Sequence, residues 1–360
     1  MKKLLSIFLL LAVVAGCCGC KGSSKTPKIT SNKRLTGMDV YSNLGSDNGS
    51  YQKTGSSDIT PLPEGGFTKT DRDVSGTRTM ETDYDALGRV AATRVYADDS
   101  KTVTSDLRYT YEGESDRVTL LLEYREQGLL FRTETTYDER GNVTLENMTS
   151  DEDYDGTFEP EHVFHYAYEY DGAGRIVRKE FSCEQEPSMD ATYVYEYDAA
   201  GNTLKQAQIR YDREYYVTTW TYDDHGNKLT EVYSEDGETK RMTDWAYVYD
   251  SAGRVTETLT GDGSGVSNEN YRTRRLNEYD EWGNCIRSSS FEPGVEAPVS
   301  STVYTLEFSG GQLAAQTLEN HSYLQQNTRT VFRYERTDSE QTDWNRFVLA
   351  ACGYQVEYPT

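Results

Sequence analysis

Hydrophobic and polar positions alternate with a period of two over much of this chain. Tyr193, Tyr195 and Tyr197 fall on one face of an extended segment, with Thr192, Val194 and Glu196 on the other. Tyr166, Tyr168 and Tyr170 repeat the pattern, as do Trp245, Tyr247 and Tyr249. That period belongs to a β-strand, and aromatic and β-branched content favours one. Each run ends in the signature Tyr-Asp-x-x-Gly-[Asn/Arg]. The Asp can accept a hydrogen bond from a backbone N–H two residues on, two residues make the bend, and Gly supplies φ > 0. The signature therefore predicts a type I turn closed by a Gly bulge, which reverses an antiparallel strand. A second strand leaves with an aliphatic residue soon after the Gly: Val90, Val143, Ile176, Leu204, Leu229, Val255 or Ile286.

The Tyr-Asp pairs begin at Tyr84, Tyr137, Tyr170, Tyr197, Tyr222, Tyr249 and Tyr279, with eroded copies at Tyr111 and Phe308. The steps between successive copies are 27, 26, 33, 27, 25, 27, 30 and 29 residues. So regular a period means one supersecondary unit copied along the chain. Two strands per unit predict roughly eighteen to twenty antiparallel strands. The expected fold is all-β, a hairpin meander coiled into a large curved, spiral or barrel-like sheet with its Tyr and aliphatic rows packed inward, because twisted sheets of that size rarely stay open. An outer-membrane barrel would need a lipid-compatible apolar band, and the intervening positions here are Thr, Glu, Lys, Arg and Gln.

The first residues read differently. Lys2 and Lys3 precede an apolar run from Leu4 to Val14, too short for a spanning helix. Val14-Ala15-Gly16-Cys17 resembles a bacterial lipobox, which makes Cys17 the expected lipidated N-terminus of the mature chain, ahead of Cys18 and Cys20. An ordinary cleaved signal peptide is the alternative. Residues 1–16 are thus expected to be a lipoprotein signal peptide. Residues 17–66 would be the lipidated Cys and a flexible, basic, Ser- and Gly-rich linker, and residues 67–360 a single repeat domain, since each unit needs its neighbours. The expected location is a bacterial cell membrane, extracytoplasmic and lipid-anchored.

The net charge of −23 makes nucleic acid an unlikely partner class. The exception to this acidity is the stretch from Cys17 to Met38, where Lys21, Lys25, Lys28, Lys33 and Arg34 stand without an acid, a pattern suited to an anionic membrane surface or to a solvated tether. Cys183, Cys285 and Cys352 are isolated in sequence and show neither a disulfide framework nor metal-site spacing.

The seven signatures resemble the Tyr-Asp repeats of the RHS family, which includes bacterial wall-associated proteins, insecticidal toxin shells and the extracellular part of teneurins. The resemblance covers about residues 80–315 and implies an extracellular, repetitive β-structure. Large relatives close a hollow shell with a core that carries an Asp-Pro cleavage motif. This chain has no Asp-Pro pair, so neither self-cleavage nor cargo enclosure is expected of it.

Candidate chemistry is sparse. Asp151-Glu152-Asp153-Tyr154-Asp155-Gly156 has the Asp-x-Asp-x-Asp-Gly order of a calcium loop. Asp151, Asp153, Asp155, Thr157 and Glu159 are its candidate ligands, although His162 stands where an EF-hand would place its bidentate Glu. The alternative is an acidic, solvated hairpin tip. His162 and His165 fall on opposite faces of a strand and do not form a metal pair. No nucleophile–base arrangement and no phosphate loop stands out, so no enzyme is expected. The repeated Tyr residues read as structural, because they recur at one fixed place per unit. Residues that vary between units, Trp220, Trp245, Trp282, Tyr215 and Tyr216, are the expected ligand contacts. The expectation is a non-enzymatic surface protein whose repeat domain meets polysaccharide, cell wall or another protein. A passive spacer of the envelope is the rival, and an enzyme of unknown type comes third.

Overall fold

Strand follows strand by tight reversal, as the alternation predicts. The computed structural model describes residues 33–44, 51–210, 212–281, 283–309, 312–321, 326–337 and 341–354. The first strands are β1 (Lys33–Leu44), β2 (Gln52–Pro61), β3 (Phe67–Asp73), β4 (Arg78–Tyr84), β5 (Val90–Tyr96), β6 (Val103–Tyr111), β7 (Val118–Arg125) and β8 (Gly128–Tyr137). Next come β9 (Val143–Ser150), β10 (Glu159–Tyr170), β11 (Ile176–Cys183), β12 (Ala191–Tyr197), β13 (Thr203–Arg210), β14 (Arg213–Tyr222), β15 (Lys228–Glu235) and β16 (Glu238–Tyr249). The last are β17 (Val255–Thr260), β18 (Thr273–Tyr279), β19 (Cys285–Phe291), β20 (Ser300–Ser309), β21 (Gln312–His321) and β22 (Gln326–Arg336), followed by helix α1 (Thr342–Ala351).

Each strand pairs antiparallel with its neighbours in sequence, and β1 pairs antiparallel with β22, from Lys33 opposite Arg336 to Leu44 opposite Gln326. The sheet is therefore a closed barrel of 22 strands. Closure removes the unpaired edges that a long meander would otherwise expose. A ring of that strand number is wider than side chains alone can fill.

The expected boundary at residue 67 is corrected by β1 and β2, which lie within the segment assigned to the linker. Its small polar residues had suggested a flexible coil. Here they make strands, and two of its glycines serve close packing. A Cβ on Gly37 would collide with the Ser57 carbonyl and the Arg333 guanidinium, and one on Gly55 would press on the Arg72 carbonyl. The apolar residues of the segment are few but buried: Leu35, Met38 and Ile59 join Phe67, Leu313, Phe332, Val348 and Leu349 in the main core. Helix α1 was not foreseen. Its Trp344, Phe347, Val348 and Ala351 follow helical spacing. Phe67 stacks on Tyr84 at 4.5 Å and meets Trp344 and Phe347 edge-on. Asn345 ties the helix to β1: its Oδ1 accepts Leu35 N–H at 2.6 Å and its Nδ2 donates to Lys33 O at 2.7 Å.

The strands have two unlike faces. One carries the signature tyrosines and is half-buried; along Phe164–Tyr170 it alternates with exposed positions. The other carries ion pairs, such as Arg178 with Glu169 across the strand pair and with Glu180 along β11, and Lys205 between Glu196 and Glu214 of the two flanking strands. The two ends of the barrel also differ. Every signature turn joins an even-numbered strand to the next odd-numbered one, so all lie at one rim. The irregular connections, including 151–158, 184–190, 261–272 and 292–299, lie at the opposite, variable rim.

Candidate functional site

The signature turns are alike in detail. At Asp171 the Gly174 N–H donates to the Asp171 carbonyl at 3.0 Å, and Asp171 N–H donates to Arg175 O at 2.9 Å. The Asp171 Oδ1 accepts the N–H groups of Ala173 and Arg175, both at 2.9 Å. Gly174 sits at φ 83°, and the other signature glycines range from 78° at Gly253 to 97° at Gly201. The predicted turn and Gly bulge are both present.

A ladder of tyrosine hydroxyls links one unit to the next. Tyr111 donates to Val90 O at 2.7 Å, Tyr137 to Val118 O at 2.8 Å, Tyr197 to Ile176 O at 2.7 Å and Tyr279 to Val255 O at 2.9 Å. In these four units the preceding turn ends in Arg, whose guanidinium lies over the tyrosine ring (Arg89, Arg117, Arg175 and Arg254). Tyr170 and Tyr249 depart from this. Their preceding turns end in Asn142 and Asn227, and each hydroxyl donates instead to the turn carboxylate, Asp138 or Asp223. The carbonyl rung is then taken by Tyr168 and Tyr247, two residues earlier. The repeated tyrosines are thus spent on the scaffold, as their fixed place in the unit implies.

The tyrosines and tryptophans that vary between units have a different setting. Tyr216 and Trp220 point to the tyrosine face of β14, next to Tyr233 and Glu231 of β15, while Trp245 lies on the same face of β16. Opposite Gln208 and Ile209 of β13, Tyr215 is the extra, unpaired residue of a bulge in β14 and lies against Tyr216, with ring centroids 4.8 Å apart and edge-on. Arg210 lies 4.9 Å from the Tyr216 ring centroid, and Tyr216 stacks toward Tyr233 at 6.4 Å. Glu231 is the polar hub. It accepts Trp220 Nε1–H at 2.9 Å, Arg241 at 3.1 Å and Lys228 at 3.4 Å. The Trp220 hydrogen bond leads in holding the Glu231 carboxyl below its ordinary value. Four of the five nominated contacts therefore share one surface; Trp282, like Cys17, lies outside the described residues. The sequence reading passed over Glu231, Tyr233 and Arg241, although two-residue spacing puts Glu231 and Tyr233 on a single face.

The acidic loop sits at the variable rim. Ligand oxygens of Asp151, Asp153 and Asp155 lie within 4.8 Å of one another. Asp151 is buried, and its two oxygens accept the N–H groups of Asp155 at 3.0 Å and Gly156 at 2.9 Å. Asp244 does the same at another connection, accepting Gly263 and Gly265 N–H at 2.8 and 2.9 Å. A buried Asp that caps a loop is thus a structural device of this rim. Glu159 starts β10 opposite Ser150 and is not in the cluster. The same rim parts the two histidines as expected. His165 contacts Glu184 at 2.7 Å, whereas His162 stacks on Phe164 at 5.4 Å and comes within 3.8 Å of the buried Cys183 sulfur.

The family model for the RHS Repeat matches residues 222–264, which span two signature turns. The chain carries RHS repeats. The other signature turns share the hydrogen bonds and the positive-φ Gly of the matched pair, so the RHS repeat is the building unit of the barrel. No curated protein matches the chain. Among solved structures, the Photorhabdus luminescens Tc holotoxin pore is similar at 12% identity and TM-score 0.35, over 86% of this chain and 18% of that one. The TcdB2–TccC3 structure is similar at 11% identity and TM-score 0.30, over 78% and 18%. A porin-like protein from Bacteroides uniformis is similar at 9% identity and TM-score 0.26, over 84% and 96%. The chain spans less than a fifth of the length of the first two.

Proposed function

We propose that this RHS-repeat barrel is a non-catalytic scaffold, anchored outside a bacterial cell membrane through an acylated Cys17, and that the tyrosine face of β14–β16 binds a carbohydrate chain of the envelope. The observation that carries the reading is the Trp220–Glu231–Arg241 contact on a face that also holds Tyr216, Tyr233 and Trp245, with Tyr215 packed edge-on against Tyr216. Aromatic faces stack on sugar rings, while Arg, Lys and carboxylate groups hydrogen-bond hydroxyls. Purified protein on an array of envelope polysaccharides should bind one class in the low micromolar range or tighter. Trp220→Ala should weaken that binding by about tenfold or more, as expected of a central aromatic contact. The ladder variant Tyr197→Phe should leave it unchanged. Absence of binding to any polymer or surface protein would leave the passive spacer.

Calcium at the Asp151–Asp155 loop is the companion expectation, held by Asp153 and Asp155 together with the remaining lone pairs of Asp151. With no acid at the twelfth position the affinity should be near about 0.1–1 mM. At 10 mM calcium the melting temperature should rise more than at 10 mM magnesium, and the excess should vanish in Asp153→Asn/Asp155→Asn. Equal shifts for both ions would mean screening alone.

A further inference from the structure

We infer that the tyrosine face takes an acidic glycan inside the barrel, with Lys179 holding its negative group, a carboxylate or a phosphodiester. This rests on the sugar-binding reading above and names the class of chain that the same face accepts.

The tyrosine face lines the lumen. One core cluster gathers helix α1 with seven adjacent strands, β20 to β22 and β1 to β4, Tyr84 of β4 among them. Seven strands span roughly 30 Å at about 4.8 Å apart, whereas a helix is about 10–12 Å across. Only the concave side of the ring can bring so many strands to one helix, and Tyr84 marks that side as the tyrosine face.

Charge on part of this face is unlike that of the chain. Sixty of the 360 residues are Asp or Glu. Yet the tyrosine face of β10 to β14, from the Phe164 row down to Tyr222, carries no carboxylate. Its cations are Lys179, 4.9 Å from the Tyr166 ring centroid, and Arg210, over Tyr216. Neither has a carboxylate partner among the described residues. Burial holds the Lys179 ammonium below its ordinary value, a cost that a bound anion would relieve. Pairing sets Lys179, Tyr193, Gln208 and Tyr216 in one row across four strands. The Tyr193 ring thus stands between an ammonium and an amide. Among the described residues the Gln206 and Gln208 amides have no hydrogen-bond partner. A sugar stacked on Tyr193 can present hydroxyls to Gln208 and its acid to Lys179. The row then runs through Tyr216 into the β14–β16 surface. Carboxylates bound this window without closing it. Glu231 is already met by Arg241 and Lys228, and Glu146 of β9 pairs with Phe164, two rows from Lys179.

The test titrates the full chain with labelled oligogalacturonate, with its methyl ester, which keeps the rings and removes the charge, and with galactose oligomers joined through phosphodiesters. At least one acidic oligomer should bind tenfold or more tightly than the ester, and the one that does tells carboxylate from phosphodiester. That gain should shrink as salt rises from about 0.05 to about 0.5 M. Lys179→Met should remove most of the gain and leave the affinity for the ester unchanged. The comparison of acid with ester needs no variant. An ester bound as tightly as both acids, an undiminished gain in Lys179→Met, or an array that retains only neutral polymers overturns the acidic class while sugar binding stands. If no polymer binds in either experiment, sugar binding falls and this inference with it.

Discussion

The last position of the signature bears on where a tyrosine places its proton: after an Arg the hydroxyl reaches a carbonyl, after Asn142 or Asn227 it reaches the turn carboxylate, and after Asn202 Tyr222 still donates to Thr203 O at 2.8 Å. Where Arg175 ends the turn, its Nε occupies Asp171 Oδ2 at 2.7 Å and its guanidinium covers Tyr197, so the hydroxyl goes to a carbonyl. Where Asn142 ends it, Asp138 Oδ2 is open to Tyr170, and Asn142 Nδ2 donates to the same hydroxyl at 2.7 Å. Burial works against ionisation of Asp138, but the Tyr170 and Asn142 hydrogen bonds hold its carboxyl down to about 2. Tyr170→Phe should therefore move the Asp138 titration up toward its ordinary value, read by carboxyl carbon NMR shifts. Tyr197→Phe should leave Asp171 where it is, because the Arg175 backbone and side chain lower that carboxyl. The signature Gly gives a second test at this scale. A Cβ on Gly201, at φ 97°, or on Gly172, at ordinary φ, meets nothing within 4 Å. Gly201→Ala should then cost about 1 kcal/mol for conformation alone, while Gly172→Ala should cost close to nothing. Equal losses in thermal unfolding would contradict the turn geometry.

At the scale of the element, the turn carboxylates act as a set. Asp85, Asp138, Asp171, Asp198, Asp223 and Asp250 are all held below the ordinary value by N–H and side-chain donors. Since the folded chain resists their protonation, the unfolded chain binds protons first as pH falls. Their stabilisation is complete above about pH 4 and is lost as pH falls toward 2. At the other end, burial pushes Tyr84 and Tyr166 up to about 12. That contribution is complete below about pH 10 and is lost as pH rises through 12. Melting temperatures across pH 2–12 should fall at both ends, and Asp171→Asn should flatten the acid limb. These hairpins were legible in the sequence because Asp, Gly and Tyr each have one local task, repeated many times. Twenty of the strands lie beyond residue 66, within the number that the repeat predicts. What stayed hidden depends on contacts far apart in sequence. Nothing local to Gly37 shows that Arg333 will lie against it, and Leu35 and Met38 look isolated until α1 covers them. The β14–β16 surface was half legible. The varying aromatics stood out, but their placement on one face with Glu231 needs the register of three strands.

The whole molecule depends on parity. Neighbouring strands alternate in direction, so only an even number can close with every pair antiparallel. Strand β1 supplies the last member, between β2 and β22. Remove it and β2 and β22 run the same way, leaving two poor choices: parallel pairing, which is slightly less stable per residue and needs a new register, or two open edges that template pairing with another chain. The same removal strips Leu35 and Met38 from the core under α1 and leaves Asn345 without the β1 backbone groups that it holds. A chain that starts at residue 52 should therefore associate through β2 and β22, giving larger species by light scattering than the chain that retains β1. A synthetic peptide of residues 33–44 added in excess should reverse that association by filling the gap in the ring. A truncated chain that remained monomeric, with the melting temperature of the full chain, would show that β1 is an accessory to the barrel and not the strand that closes it.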